Sequence, residues 1–294
     1  MYKNIAANKR NTVFIMIGFV VLVAAIGLLF SFRSGEFYPG ALAGFLIFAI
    51  CYVLFQYFAA SKLAVVMTGA KKIEKKDNRR LYNIVENLSL TAGLPMPEVY
   101  IIDDQAPNAF ASGRDPKHAL VCATTGLLDI MDDKEVTAVM AHELSHVKNY
   151  DIRLTTIVFG LVCFIGLLAD IGWRIAFRGA RRSREDSSPV ALILALVTVV
   201  VAPIAAALAQ MAVSRQREYL ADSSAVMLTR YPEGMISALK KLEAHARPMT
   251  QQNPATEAMF ISSPLKKRSL NNLFSTHPPI EKRIERLENA KFKF

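Results

Sequence analysis

The sequence predicts a mainly α-helical membrane protein, built from two hydrophobic helical hairpins and an α+β domain with a small sheet. Hydrophobic residues make up 52% of the 294 residues and charged residues only 20%, which excludes a disordered chain. The apolar residues occur in blocks of the length that a transmembrane helix needs, which argues against a purely soluble protein. Between the blocks lie segments with the periodicity of amphipathic helices and short strands.

The first hydrophobic hairpin covers residues 1–61. Its spans are residues 12–32 and 38–60, and only Arg33 and Glu36 carry charge between them. The first apolar region is too long for a cleaved signal peptide, so we expect an uncleaved anchor. Basic residues flank both outer ends, and the positive-inside rule therefore places the chain on either side of the hairpin in the cytoplasm. The net charge of +10 thus reflects membrane topology and not nucleic-acid binding.

A second hydrophobic hairpin is expected within residues 153–214. Its apolar blocks are residues 154–173 and 187–214, and five arginines lie between them. A full crossing would put these arginines outside, against the positive-inside rule, so the hairpin either crosses despite its charge or enters the membrane without crossing. In both cases the chain returns to the side that it left, and residues 62–152 and 215–294 share a compartment.

The segments outside the hairpins predict a small α+β domain. Asp132 and Glu135 fit a capping box at the start of a helix. Pro232 opens a later helix, and residues 249–276 predict a loop. The remaining predictions are helices over residues 77–90, 232–246 and 278–289, and strands over residues 98–103, 107–113 and 118–123.

The pentapeptide HELSH, residues 142–146, indicates metal-dependent hydrolysis. On a helix, His142 and His146 lie on one face and can bind one metal ion. Glu143 can then reach a metal-bound water without binding the metal itself. Zinc lowers the pKa of such a water, and a carboxylate takes its proton as the water attacks a carbonyl. This is the H-E-x-x-H arrangement of zinc proteases, and two ordinary solvated or core histidines are the alternative.

A catalytic zinc ion needs a third protein ligand and an open coordination position. None of the other three histidines follows HELSH at short spacing. Glu218 is the best candidate, and Asp222, four residues on, suits a second carboxylate that steadies a ligand histidine. A charged membrane flank that pairs its own residues is equally compatible with this spacing. Asp151, shortly after HELSH, is either another such supporting carboxylate or a membrane-interface charge, and the second interpretation is preferred.

Four motifs occurring together resemble one family. They are HELSH, NAFASG at residues 108–113, REYLAD at residues 217–222 and STHPP at residues 275–279. Over essentially the whole chain, the sequence resembles the HtpX family of bacterial heat shock proteins. These are membrane-bound zinc metalloproteases related to the CAAX prenyl proteases.

The resemblance implies a zincin-like metalloprotease domain in two parts. Residues 62–152 carry the HELSH helix, and residues 215–294 carry the third zinc ligand. One zinc ion per chain is the implied cofactor, and Glu143 is the implied general base. Asp222 is implied to contact the zinc ligands without binding zinc itself. The implied zinc ligands are His142, His146 and Glu218.

Two further motifs receive roles from the resemblance. His277 is implied to stabilise the oxyanion of the tetrahedral intermediate, and a capping or packing residue before the last helix is the alternative. The stretch at the start of NAFASG is implied to form an edge strand that pairs with an extended substrate backbone. An ordinary strand of the sheet is a compatible interpretation of the same stretch. The residues of this stretch are Asn108, Ala109, Phe110 and Ala111.

The implied activity is that of a zinc-dependent endopeptidase of the bacterial inner membrane, multi-pass, with its catalytic site facing the cytoplasm. Its implied partners are the lipid bilayer and unfolded or misfolded membrane proteins, which it would cleave in the stress response; no nucleic acid is expected. Membrane helices and the loop at residues 249–276 would screen the site. A zinc-binding scaffold or sensor without proteolysis is the alternative. Glu143 argues against it, because a structural zinc site has no use for a base.

Overall fold

Two long helices joined by a short β-hairpin begin the chain. The computed structural model describes residues 2–33, 36–180, 215–265 and 278–290. Helix α1 (Tyr2–Ser31) and helix α2 (Pro39–Thr68) are each long and apolar enough to cross a membrane. Strands β1 (Phe32–Arg33) and β2 (Glu36–Phe37) pair antiparallel between them. The two helices pack against each other as the helical hairpin that the sequence predicts.

Helix α2 extends beyond its predicted end at residue 60, because the apolar residues 63–67 continue it past Ser61 and Lys62. Gly69 ends it with a φ of 67°, the left-handed conformation that often follows a helix. The last turns of α2 thereby reach the sheet, where Ala64 joins an apolar cluster with Phe110 and Phe159.

A third long helix, α6 (Asp151–Ala180), packs against both α1 and α2. The hydroxyl of Tyr52 in α2 donates to the carbonyl of Gly160 in α6 at 2.8 Å. Helix α6 contains the first apolar block of the predicted second hairpin, and the other block, residues 187–214, lies outside the described residues. The buried apolar residues that join the three helices are Ile15, Phe19, Val23, Ala49, Val53, Leu154, Ile157, Val158 and Leu161.

A mixed four-stranded sheet lies between the first hairpin and the motif helix. Its strands are β3 (Lys71–Lys72), β4 (Glu98–Ile102), β5 (Ala109–Gly113) and β6 (Ala119–Thr124), in the order β3-β4-β6-β5. Strands β4 and β6 are parallel, and the other two neighbouring pairs are antiparallel. The predicted strands are confirmed, and β5 lies at one edge of the sheet.

Further helices complete the core of the described part of the chain. They are α3 (Arg79–Ala92), α4 (Thr125–Ile130), α5 (Asp133–Lys148), α7 (Arg215–Thr229), α8 (Pro232–Ala244) and α9 (Ile280–Ala290). Helix α5 is central, since it contacts α3, α7, α8 and strand β5. Its Val139 and Met140 are buried with Val121 of the sheet and Leu239 of α8. The core therefore holds the HELSH helix rigidly from several sides.

Helix α5 begins with the predicted capping box. The Asp132 side chain accepts from the Glu135 amide at 2.9 Å, and Glu135 accepts from the Asp132 amide at 2.8 Å. Glu135 is buried and also accepts hydrogen bonds from Ser237 and Lys241 of α8. Burial alone would raise the pKa of Glu135, but the bonds from Lys241 and Ser237 outweigh it and hold the pKa below its usual value. This carboxylate fixes the start of α5 against α8.

Replacing Glu135 by alanine is expected to lower the free energy of unfolding by about 2–3 kcal/mol, because buried bonds to a charged group are lost. The pKa of Glu135 is lower in the folded protein than its usual value of about 4.3. The stabilisation that Glu135 provides is therefore present above about pH 4.3, and it is lost as the pH falls through the lowered pKa of the folded state. Urea unfolding at neutral and acid pH measures this. The deficit should shrink in acid, and a deficit independent of pH would contradict the account. Glu86→Ala, which removes an exposed ion pair, serves as the control.

Candidate metal centre

Helix α5 brings His142 and His146 together on one face, as their spacing predicts. Their Nε2 atoms are 3.1 Å apart, and their rings lie nearly perpendicular, at 86°. His142 is completely buried and His146 partly buried. The two imidazoles therefore converge through their Nε2 atoms.

Glu218, in the first turn of α7, faces both histidines. Its Oε2 lies 3.5 Å from the Nε2 of His142, and its Oε1 lies 3.7 Å from the Nε2 of His146. One ligand atom from each of the three side chains lies within 4.8 Å of the others. Two nitrogens bound to one zinc ion at the tetrahedral angle would be about 3.3 Å apart, close to the distance between the two histidines. The donor types and their spacing fit such an ion.

A buried ion pair lies behind His142. The Oδ1 of Asp222 is 3.0 Å from its Nδ1, and Arg283 of α9 donates to both oxygens of Asp222, at 2.9 and 2.6 Å. Burial alone would raise the pKa of Asp222, but Arg283 holds it below its usual value. A carboxylate that accepts from Nδ1 selects the imidazole tautomer whose Nε2 can bind a metal.

Asp151 holds His146 in the same way. Its Oδ2 lies 2.9 Å from the Nδ1 of His146. Its Oδ1 accepts from the Nδ2 of Asn8 at 2.6 Å and lies 3.0 Å from the Nε of Arg217. Only 2% of Asp151 is exposed, so its interpretation as a membrane-interface charge is wrong. Its carboxylate instead lies buried against a histidine of the motif, because the turn after α5 folds it back.

Glu143 lines the same small cavity as the two histidines and Glu218. Burial raises the pKa of its carboxyl, and the opposing effect of His142 and His146 is smaller. Burial also lowers the pKa of His142, but Asp222 and Glu218 outweigh this and raise it to about 9. A metal ion would displace the proton that His142 then carries, since imidazole binds metals in its neutral form.

The local charge also fits a divalent cation. With His142 neutral, as a metal ligand must be, four carboxylates face two guanidinium groups among the described residues around the cavity. This leaves an excess of two negative charges when all six groups are ionised. Uncompensated charge is costly to bury, and a dication would balance it. The carboxylates belong to Glu143, Asp151, Glu218 and Asp222, and the guanidinium groups to Arg217 and Arg283.

Strand β5 contains Ala109, Phe110 and Ala111 of the predicted substrate-binding stretch, and Asn108 directly precedes the strand. Ala111 lines the cavity. The outer edge of β5 is already paired near its start, because the Ile261 amide donates to the Ala109 carbonyl at 2.9 Å. Phe110 also forms an isolated antiparallel bridge with Phe260. The chain itself thus occupies part of the edge that was expected to meet substrate.

We call residues 258–262 the covering segment. Its first four residues line the cavity. The Asn108 side chain holds it through Ser262, donating to its carbonyl at 2.8 Å and accepting from its amide at 3.2 Å. Within residues 249–265 the predicted loop is only partly right, since a 3₁₀ helix (Pro254–Met259) precedes this pairing, and residues 266–276 lie outside the described part of the chain.

The structure brings together most of the residues singled out in the sequence, but not all can be placed. His277 lies outside the described residues, so its position beside the cavity stays a prediction. Sequence reasoning missed Arg283 and misassigned Asp151. An aspartate five residues after the second histidine was the available signal for Asp151.

Comparison with known proteins identifies relatives over the whole chain. The model of peptidase family M48 matches residues 75–291. A relative from Tropheryma whipplei (strain Twist), described as a protease HtpX homolog, is 52% identical over 295 residues and covers 100% of both chains. Another with this description, from Limosilactobacillus fermentum, is 46% identical over 297 residues, which cover 98% of this chain and 99% of the relative.

The fold is similar to a solved structure. The crystal structure of S. mikatae Ste24p matches with a TM-score of 0.52 at 19% identity, and the match covers 98% of this chain and 67% of that chain. At this identity the likeness concerns the fold alone. The family match and the full-length relatives carry the assignment: the chain belongs to peptidase family M48 and is a metalloprotease.

Proposed function

We propose that this chain is a zinc-dependent endopeptidase whose zinc ion is held by His142, His146 and Glu218. The observation that carries this proposal is the convergence of their ligand atoms, within 4.8 Å of one another, at a buried cavity that Glu143 also lines. Two histidines and one glutamate form a ligand set of zinc hydrolases that leaves one position for water or substrate. The relatives described as proteases favour hydrolysis over a scaffold or sensor without activity.

Glu143 is the proposed general base. Zinc, when bound, supplies Lewis acidity that lowers the pKa of a water molecule and polarises the peptide carbonyl. Glu143 accepts a proton from the attacking water and passes it to the amide nitrogen as the C–N bond breaks. The products are one new carboxyl group and one new amine. Because burial raises its pKa, the Glu143 carboxylate is a stronger base for this proton than an exposed glutamate.

The remaining polar residues have supporting roles in this proposal. Asp222 and Asp151 orient the two ligand histidines through their Nδ1 atoms. His277 donates to the developing oxyanion, as the family resemblance implies. Its replacement should lower kcat and leave bound zinc unchanged.

The small size of the cavity restricts the substrate. Its volume is about 20 Å³, room for about one water molecule and not for a peptide. In this proposal the covering segment, which lines the cavity, moves aside to admit a peptide to Glu143. An extended substrate strand could then pair with the edge of β5 that Phe260 and Ile261 occupy. This favours unfolded or extended substrates over folded ones.

Asn108→Ala is expected to loosen the covering segment, because it removes both hydrogen bonds to Ser262. At about 1 kcal/mol for each bond, hydrogen exchange at the Ile261 amide should quicken by about tenfold or more. Cleavage of an unstructured peptide should rise with it. Hydrogen exchange followed by mass spectrometry, in parallel with a peptide assay, measures both.

The control for this prediction is Ser263→Ala, which removes a bond from Ser263 to Glu257 but leaves the bonds to β5 intact. Ser263→Ala should change neither the hydrogen exchange at the Ile261 amide nor the rate of peptide cleavage. Unchanged exchange in Asn108→Ala would show that Asn108 does not hold the segment. Faster exchange with slower cleavage would show that Asn108 contacts substrate instead.

We further propose a multi-pass protein of the bacterial inner membrane whose catalytic site faces the cytoplasm and cleaves unfolded or misfolded membrane proteins. Two apolar helices, basic flanks on the first hairpin and bacterial relatives support this. In this arrangement residues 1–61 and 153–214 form the hydrophobic hairpins. Residues 62–152 and 215–294 form the protease domain.

Removal and return of the metal test the proposed function. Full-length protein in detergent should lose casein cleavage when a chelator removes its metal. About one equivalent of Zn²⁺ should restore cleavage and Mg²⁺ should not, since imidazole ligands suit zinc and magnesium prefers oxygen. Cleavage that survives complete removal of metal would contradict the proposal, and recovery with Mg²⁺ alone would contradict the choice of zinc.

A further inference from the structure

We propose that Asn8, in the first membrane-type helix, is a positioning residue for the metal centre. It acts through Asp151 on His146. The inference rests on the proposed function, in which His146 is a metal ligand. It makes the amino-terminal helix part of the catalytic apparatus and not only an anchor.

The Asn8 side chain lies at the junction of three helices. Its Nδ2 donates to the Oδ1 of Asp151 at 2.6 Å and to the main-chain carbonyl of Asn149 at 2.9 Å. Only 6% of Asn8 and 2% of Asp151 are exposed. This buried amide donates both of its hydrogen bonds to the turn between α5 and α6 and thereby holds the turn in one place.

Asp151 is held at both of its oxygens. Oδ2 lies 2.9 Å from the Nδ1 of His146, whereas Oδ1 meets Asn8 and the Nε of Arg217. Contacts at both oxygens fix the plane of the carboxylate as well as its position. The imidazole of His146 therefore takes its orientation from a group that Asn8 helps to hold.

The turn that carries Asp151 has an unusual backbone. Tyr150 has a φ of 60°, in the left-handed region that non-glycine residues seldom adopt. Such a residue persists where surrounding contacts over-determine it. Helix α1 supplies two of these contacts, since the ammonium group of Lys9 lies 4.2 Å from the centre of the Tyr150 ring and Asn8 bonds the carbonyl of Asn149.

The expected consequence is weaker metal binding when Asn8 is changed. Loss of a group that orients a ligand histidine typically costs about 10–100-fold in metal affinity or activity. Asn8 acts one step further out, so we expect about a tenfold loss of zinc affinity and a fall in kcat at nearly constant KM. Helix packing alone would not produce this combination.

A double-mutant cycle on full-length detergent-purified protein tests the inference. Zinc affinity is measured by chelator competition for Asn8→Ala, Asp151→Ala and the double variant, and visible spectra of the cobalt-loaded proteins report ligand geometry. Asn8→Ala should weaken zinc binding and alter the cobalt bands. The double variant should bind zinc no more weakly than Asp151→Ala alone. Losses that add would overturn the inference.

Asn11→Ala is the matched control, since Asn11 lies one turn further along α1 and forms no side-chain hydrogen bond within the described part of the chain. Asn8→Asp keeps the shape of the side chain, removes the donor and should weaken zinc binding further. Unchanged zinc affinity in either folded variant of Asn8 overturns the inference. So does failure of both to fold while Asp151→Ala folds, since Asn8 would then act in folding.

His146→Ala separates the two proposals. If it retains stoichiometric zinc, the proposed metal centre is wrong. If it loses zinc while the Asn8 variants bind as tightly as the unmutated protein, only the role of Asn8 is wrong.

Discussion

Replacing Glu143 by glutamine is expected to slow peptide hydrolysis by about 10²–10⁴-fold and leave the metal bound. Glutamine keeps the size of the side chain but cannot accept the proton of the attacking water. General bases typically contribute about 10²–10⁴-fold to a rate, so kcat should fall by about that factor. Glu143 lines the cavity beside the three candidate ligands and is not one of them, so the metal content should not change. Casein cleavage and elemental analysis of the same sample measure both quantities.

Glu86→Gln is the control for this experiment, because Glu86 lies on the surface in an ion pair with Lys75. It should match the unmutated protein in both assays. Full activity in Glu143→Gln would remove the general base from the proposed mechanism. Loss of both zinc and activity would instead show that Glu143 contributes to metal binding.

Glu218→Ala is expected to lose both the metal and the activity. The carboxylate is the only non-histidine donor of the candidate cluster found among the described residues. A catalytic zinc ion held by two side chains alone lacks the third protein ligand that such sites use. Purified protein should therefore contain much less than one zinc ion per chain and cleave no casein.

Asp222→Asn is the matched comparison, since this carboxylate lies four residues further along the same helix and touches His142 from behind. Its change should weaken zinc affinity by about 10–100-fold without removing the ion at saturating zinc. Stoichiometric zinc in Glu218→Ala would place the third ligand elsewhere. Equal losses in the two variants would contradict their separate roles.

The site could be predicted where local spacing determines geometry. His142 and His146 share a helical face because they lie four residues apart. The capping box of Asp132 and Glu135 predicts the start of the helix itself. Glu218 needed the family resemblance, since a carboxylate on a charged membrane flank has an equally good local explanation.

The supporting contacts could not be predicted, because they join residues that are distant in sequence. Asn8 and Asp151 are 143 residues apart, and Asp222 and Arg283 are 61 apart. The periodicity of apolar residues in the sequence does not predict that α1 packs beside the turn after α5, or that α9 packs against α7. A buried carboxylate and a surface one look alike in sequence until their partners are known.

Strand β5 shows a second limit of sequence reasoning. Its strand-like stretch closed by a glycine turn predicts a strand, and its place at the edge of the sheet agrees with a substrate-binding role. The pairing of Phe110 with Phe260 was not foreseen, because residues 249–276 carry loop-forming residues and no strand pattern. Isolated bridges arise from tertiary packing more than from local propensity.

X-ray absorption at the zinc edge of the purified full-length protein tests the central claim most directly. Zinc held by His142, His146 and Glu218 should show two imidazole nitrogens and carboxylate or water oxygens, all at about 2.0–2.2 Å, and no sulfur. The imidazole signal should diminish or vanish with the metal in His146→Ala. A sulfur neighbour near about 2.3 Å, or the absence of stoichiometric zinc, would contradict the assignment of this metal centre.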